Sequence, residues 1–139
     1  MKRQVLLIVD DDPLLRQVLR ILLNDQYETM SAKDGLEAIA IVRSRAVDLV
    51  LMDVNLPGTD GIKTLEMIKQ IDNGIGVIMI SASDDAEKAA ASVKKGADGY
   101  ITKPFDNDDL ISTIKRYMDG LAIKNEAHIA GKSKGDSFI

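Results

Sequence analysis

The sequence predicts one α/β domain made of five strand–helix units in series, with a parallel sheet and helices on both faces. Three observations point there. Short apolar runs without polar alternation recur at Val5 to Val9, Leu49 to Met52 and Val77 to Ile80, as in strands buried on both faces. Longer stretches between them carry apolar residues at helical spacing. The two signals alternate up to Leu121, and such a series specifies right-handed crossovers.

Each element has its own signal. Asp12-Pro13 reads as an N-cap with proline at the first helical position, and Leu14, Leu15, Val18, Leu19 and Leu22 follow at helical spacing. Tyr27 to Ala32 is a second strand. Asp34 opens a helix with Leu36, Ile39 and Ala40 expected on one face. Pro57-Gly58 marks a loop after the Leu49 run, and Ile62, Leu65, Met67 and Ile68 define a third helix. Asp84 and Asp85 open a fourth, which closes with Lys94-Lys95-Gly96, so its charges suit the helix dipole and its glycine suits the C-terminal cap. Within it, Ala89 to Ala91 reads as close helix packing. Tyr100-Ile101 is a short fifth strand. From Asp106 a last helix carries Leu110, Ile114, Tyr117, Met118 and Leu121 on one stripe. Residues 1–121 are therefore expected to form the domain, and 122–139 a tail or the start of a linker.

Composition narrows the function classes. The 139 residues are 45% hydrophobic but only 4% aromatic, so the core must be aliphatic. A net charge of −4 argues against a non-specific nucleic-acid binder. The absence of cysteine removes disulfides, thiolate metal sites and thiol nucleophiles. The apolar run after Met1-Lys2-Arg3-Gln4 is broken at Asp10, too short for a secretory signal, and no segment approaches a membrane span. The expectation is a cytoplasmic protein without direct nucleic-acid or membrane contact. His128, the single histidine, reads as a tail residue. Gly131-Lys132-Ser133 lacks the earlier glycine of a phosphate loop, since Glu126 stands there, and follows no strand.

Ligands of open parallel sheets bind beyond the carboxyl ends of the strands. The first strand ends in Asp10, Asp11 and Asp12, the third in Asp53 and the fourth in Ser81, and Lys103 follows the fifth. Singly these have plain readings: a solvated turn, a helix cap (the expected role of Asp12), a loop hydroxyl, a surface lysine. Jointly they make a charge pattern. Clustered carboxylates repel, and a hard dication relieves them. Mg²⁺ takes oxygen ligands and keeps several waters, leaving room for a phosphoryl oxygen. Lys103 and Ser81 would serve other phosphoryl oxygens. Phosphoryl transfer asks mainly for such positioning and neutralisation, and a carboxylate can act as its nucleophile.

At these residues the sequence resembles a known family, the receiver domains of two-component response regulators (CheY-like). Leu7-Ile8-Val9-Asp10-Asp11-Asp12-Pro13 is similar to their opening segment, and the run Leu51-Met52-Asp53-Val54-Asn55-Leu56-Pro57-Gly58-Thr59-Asp60-Gly61 to their acceptor loop. Ile80-Ser81-Ala82 and Tyr100-Ile101-Thr102-Lys103-Pro104-Phe105 resemble their switch and Lys-Pro-Phe segments. The likeness runs from Val5 to Leu121 in the family's order and spacing.

The resemblance implies a flavodoxin-like (βα)5 fold, an open parallel sheet of strand order 2-1-3-4-5. It implies Asp53 as phosphoacceptor, with Lys103 and Ser81 as its catalytic helpers. Mg²⁺ would be held by the Asp10–Asp11 acidic pair, Asp53 and the Asn55 carbonyl. Ser81 and Tyr100 would be the switch pair, and Lys103-Pro104 a cis peptide. Asn55 and Ser83 would gate the water that ends the phosphorylated state. A sensor histidine kinase or histidine phosphotransfer protein would supply the phosphoryl group. The fourth helix, fifth strand and fifth helix would present the surface read by a protein target, an output domain or a second copy in a homodimer. Departures are small: Ser81 replaces the commoner Thr, and Thr59 stands where Met is frequent. Thr113 and Asp98-Gly99 differ from the pattern of OmpR-type winged-helix regulators, which argues against their dimer mode.

Two other classes fit these residues less well. Aspartyl phosphohydrolases place the nucleophile after the first strand with a second acid two residues on, whereas position 55 is Asn. A phosphorylation-independent interaction module would have no need of the acid pair, Asp53 and Lys103 together. No output segment is recognisable after Leu121, so a stand-alone regulator and a receiver from a longer chain both remain open.

Overall fold

The structure is a computed structural model and describes residues 3–82 and 86–121. Its elements, in chain order, are β1 (Val5–Val9), α1 (Pro13–Leu23), β2 (Glu28–Ala32), α2 (Gly35–Ser44), β3 (Leu49–Asp53), β4 (Asn55–Leu56), β5 (Thr59–Asp60), α3 (Gly61–Ile71), β6 (Gly76–Ala82), α4 (Ala86–Lys94) and β7 (Gly99–Lys103). A last helix, α5, occupies 107–121. The main sheet runs β2-β1-β3-β6-β7, all parallel. With the small hairpin β4–β5 set aside, this is the expected 2-1-3-4-5 order.

Alternate residues of a strand point to opposite faces, and both faces here are apolar. Leu6, Ile8, Leu49, Leu51, Ile78 and Ile80 pack with Leu19 and Leu23 of α1 and Leu110, Ile114 and Met118 of α5. Leu7, Val9, Val50, Met52, Val77 and Met79 pack with Ala38, Ile39 and Val42 of α2 and Leu65 and Ile68 of α3. Each fully buried Leu or Ile contributes about 1.5–3 kcal/mol. The aliphatic core is thus two layers divided by the sheet, and the stripe expected on α5 is the one that packs.

The helix caps follow the local sequence. Asp12, Asp34 and Asp60 each accept a backbone N–H at the start of α1, α2 and α3. The hairpin β4–β5 turns at Pro57-Gly58, with Gly58 at φ +73°, a region open to glycine. Gly61 then returns the chain beneath the loop, its N–H donating to Val54 O at 3.1 Å. A Cβ on Gly61 would lie 2.5 Å from that carbonyl oxygen, so no other residue fits there unshifted.

Several helix faces differ from expectation. In α2 the buried stripe is Gly35, Ala38, Ile39 and Val42, whereas Leu36 is 72% exposed and Ala40 is exposed. In α1 the buried residues are Leu19 and Leu23, and Leu14 is 67% exposed. Met67 of α3 also faces outward. The reason is common to all three: each helix carries more apolar residues than its contact stripe on the sheet can cover. In α4 only Ser92 is buried; Ala89 and Ala91 are half-buried and Ala90 is exposed, so the alanine run is only partly covered. Asp84 and Asp85, expected to open that helix, lie outside the described residues, as do Ser83, His128 and the rest of 122–139.

Candidate functional site

Parallel register brings the strand ends into line. Val9 lies beside Met52, so Asp10 and Asp53 emerge next to each other from β1 and β3. Asp53 lies beside Ile80, which puts Ser81 one residue further along β6, and Ala82 lies beside Lys103 of β7. Four strand ends therefore deliver their polar residues to one rim.

The carboxylates converge there. One oxygen each of Asp10, Asp11 and Asp53 lies within 4.8 Å of the others. Asp10 and Asp53 are 3% and 6% exposed, while Asp11 faces solvent. Asp53 Oδ1 accepts the Asn55 N–H at 2.8 Å, and Oδ2 accepts from Lys103 Nζ at 2.7 Å. Lys103 Nζ is 3.7 Å from Asp10 Oδ2. Asp10 Oδ1 accepts the Asp12 N–H at 2.9 Å, but Oδ2 is buried with no hydrogen-bond partner among the described residues. Arg16 of α1 donates to the Asp10 carbonyl at 2.6 Å and steadies this turn. Asp12 caps α1 at the Leu14 N–H, apart from the cluster.

Burial pushes the Asp10 carboxyl up from its ordinary 3.8, and the neighbouring Asp53 adds to it; the Asp12 N–H and Lys103 only partly offset the rise. Burial also disfavours the Lys103 ammonium, but the Asp53 and Asp10 carboxylates together outweigh it and lift Lys103 above its ordinary value. Lys103 thus faces a cluster of three carboxylates. That imbalance, with the orphaned Asp10 Oδ2, fits a hard divalent cation, and the donor set is all oxygen.

Ser81 is 1% exposed, and its hydroxyl donates to Ala82 O at 3.3 Å. Tyr100 is half-buried on the edge strand β7, beside Met79, and packs on the core layer shared with α2 and α3. The Lys103–Pro104 peptide is cis. Asn55 Oδ1 accepts from Lys88 Nζ of α4, a contact with no counterpart in the sequence reading. Lys88 and Asn55 line a cleft of about 540 Å³ together with Asp11, Pro57 and Asp60. No local pattern marks Lys88, because the contact joins positions far apart in the chain.

An open parallel sheet with three carboxylates, a lysine and a hydroxyl on its carboxyl rim defines a class of α/β protein equipped to hold a divalent cation and a phosphoryl group. The chain belongs to the response regulator receiver domain family, whose pattern matches residues 6–115. It is 41% identical over 115 residues to the chemotaxis protein CheY of Halobacterium salinarum, covering 82% of this chain and 95% of that protein. It is 38% identical over 119 residues to sporulation initiation phosphotransferase F of Bacillus subtilis, covering 85% and 96%. The CheY-like receiver domain crystal structure from Methanospirillum hungatei superposes with a TM-score of 0.84 at 30% identity, covering 88% of this chain and 99% of that one. The chain is thus a phosphorelay receiver, in a family of signalling switches. Among the described residues, no helix is long and apolar enough to cross a membrane.

Proposed function

We propose that Asp53 accepts a phosphoryl group from a histidine of a sensor kinase or phosphotransfer protein, and that this switches the surface formed by α4, β7 and α5. The observation that carries it is the pairing of the buried Asp53 carboxylate with Lys103 at 2.7 Å, inside the triad with Asp10 and Asp11. An Asp53 oxygen forms a bond to phosphorus as the donor's phosphorus–nitrogen bond breaks, and the leaving imidazole keeps the electron pair. Lys103 then trades its Asp53 bond for a phosphoryl oxygen, and the Ser81 hydroxyl turns from Ala82 O to donate to another. Asp10, Asp11, Asp53 and the Asn55 carbonyl would hold Mg²⁺. When bound, the ion neutralises carboxylate and phosphoryl charge together.

With Ser81 drawn to the phosphoryl group, Tyr100 moves inward to fill the space, because a packed interior has discrete arrangements. The altered surface contacts a protein target, an output domain or a second copy. The chain catalyses only its own phosphorylation and dephosphorylation. Residues 1–121 form the receiver, and 122–139 a tail or the start of a linker, in a cytoplasmic protein.

Incubation with a small acyl phosphate and Mg²⁺ tests this reading. Intact-mass measurement should show one added phosphate on the wild type and none on Asp53→Asn. An adduct of equal yield on the variant would place the acceptor elsewhere, and turnover of a small phosphate ester would point to a phosphohydrolase instead.

A further inference from the structure

We propose that Lys88 is a positioning residue: by holding the side chain of Asn55 it prolongs the phosphorylated state. This rests on the reading of Asp53 as acceptor. Lys88 stands in the first turn of α4 and donates from Nζ to Asn55 Oδ1. Asn55 is two residues beyond Asp53 and bound to it through its backbone N–H at 2.8 Å. Both side chains line the cleft that also includes Asp11. The water that removes the phosphoryl group must approach through space next to these residues.

The chemistry of an amide makes its orientation matter. An ammonium has only donors, so the end of Asn55 that meets Lys88 is the oxygen. In hydrolysis a water oxygen bonds to phosphorus as the bond from phosphorus to the Asp53 oxygen breaks. The electron pair returns to the carboxylate, inorganic phosphate departs, and the water proton passes to solvent. The amide oxygen helps this step if it accepts a hydrogen bond from the water, since the water lone pair is then aimed at phosphorus. The NH2 end does the reverse: it donates to that lone pair and occupies it. With its oxygen engaged by Lys88, Asn55 meets the water chiefly through donors. Lys88 is thus a brake that acts through Asn55 and touches none of the reacting atoms.

The brake ties α4 to the acceptor loop. Ser92 is the buried residue of this helix, and its hydroxyl is spent on Lys88 O at 2.8 Å, within the helix. Few apolar contacts therefore fix α4 near the cleft, and a polar contact at its first turn carries more of that task. A shift of α4 that drew Lys88 away would free the Asn55 oxygen and shorten the lifetime of the acyl phosphate.

The test is the decay of purified phosphoprotein, loaded with a small acyl phosphate, desalted and followed by intact mass. Lys88→Met should speed decay by about threefold to tenfold, the range set by the net worth of one ordinary hydrogen bond, since water screens this exposed contact. Lys88→Arg should stay near the wild-type rate. In an Asn55→Ala background Lys88→Met should change nothing, the double-mutant signature of action through Asn55. The Asn55 side-chain NH2 signals should shift in unphosphorylated Lys88→Met but much less in Lys88→Arg. Decay of Lys88→Met at or below the wild-type rate, no rescue by arginine, or equal acceleration in the Asn55→Ala background would each overturn the proposal. If the wild type takes up no phosphate at all, the reading of Asp53 fails first, and the proposal with it.

Discussion

Asp10→Asn should stabilise the metal-free protein. Asp10 lies within 4.8 Å of two other carboxylate oxygens, and each such pair repels by roughly 3 kcal/mol at an effective dielectric constant near 20. Its attraction to Lys103 at 3.7 Å is about 4 kcal/mol on the same scale. The two repulsions exceed the attraction by about 2 kcal/mol, and solvent screens Asp11 and Lys103, the latter 36% exposed. The buried, unpartnered Oδ2 adds a cost of about 1–3 kcal/mol of its own. Asparagine removes the charge, keeps an acceptor for the Asp12 N–H and sets a donor beside Asp53. The expected gain is about 1–3 kcal/mol, or roughly 3–10 °C in Tm for a chain of this size. Unfolding in a chelating buffer, by heat and by urea, measures it.

The pH dependence has a definite sign. The folded Asp10 carboxyl is raised above its unfolded value of 3.8, so its ionisation costs stability as pH climbs from that value through the folded pKa. The advantage of asparagine should therefore vanish at pH values well below 3.8 and reach its full size once the pH has passed the raised folded pKa. Mg²⁺ should narrow the gap, because binding stabilises the wild type by mass action. A variant no more stable than wild type in chelator, or stabilised equally at all pH values, would refute the charge argument.

Other outcomes follow from the same geometry. Asp11→Ala should abolish Mg²⁺-dependent phosphorylation and flatten the rise of Tm with Mg²⁺; equal phosphorylation in excess chelator would remove the metal from the mechanism. Ser81→Ala should still take a phosphoryl group, but amide shifts induced by beryllofluoride should stay near Asp53 and no longer reach Tyr100. Ile114→Ala, at a position with no solvent exposure, should cost about 2–5 kcal/mol, read as a lower urea midpoint at constant slope.

The sheet was legible in the sequence because its strands are continuous apolar runs, and a run such as Leu49 to Met52 has no other comfortable home. The site was legible because each of its residues follows such a run, and parallel register then aligns the ends. Helix faces were less so. Leu14 and Leu36 are as apolar as Leu19, and only contact with the sheet decides which of them is covered. The hairpin β4–β5 has two-residue strands, too short for any periodicity. Lys88 escaped notice because the sequence says nothing of where an exposed helix end sets down a long side chain.

The hairpin has a practical consequence for protein engineering. Its base is pinned: Val54 and Gly61 are joined by a backbone hydrogen bond, and the Gly35 N–H donates to Thr59 Oγ1 at 3.2 Å. Its tip is open, for a side chain added at Gly58 would meet nothing within 4 Å. Lengthening a loop whose ends are already clamped adds little closure entropy, so a short peptide grafted between Pro57 and Gly58 should leave the base in place. The graft would sit within a few residues of Asp53. A fluorophore or affinity epitope carried there becomes a local gauge of what arrives at the rim, attached to a stretch of that neighbourhood with room to accept it.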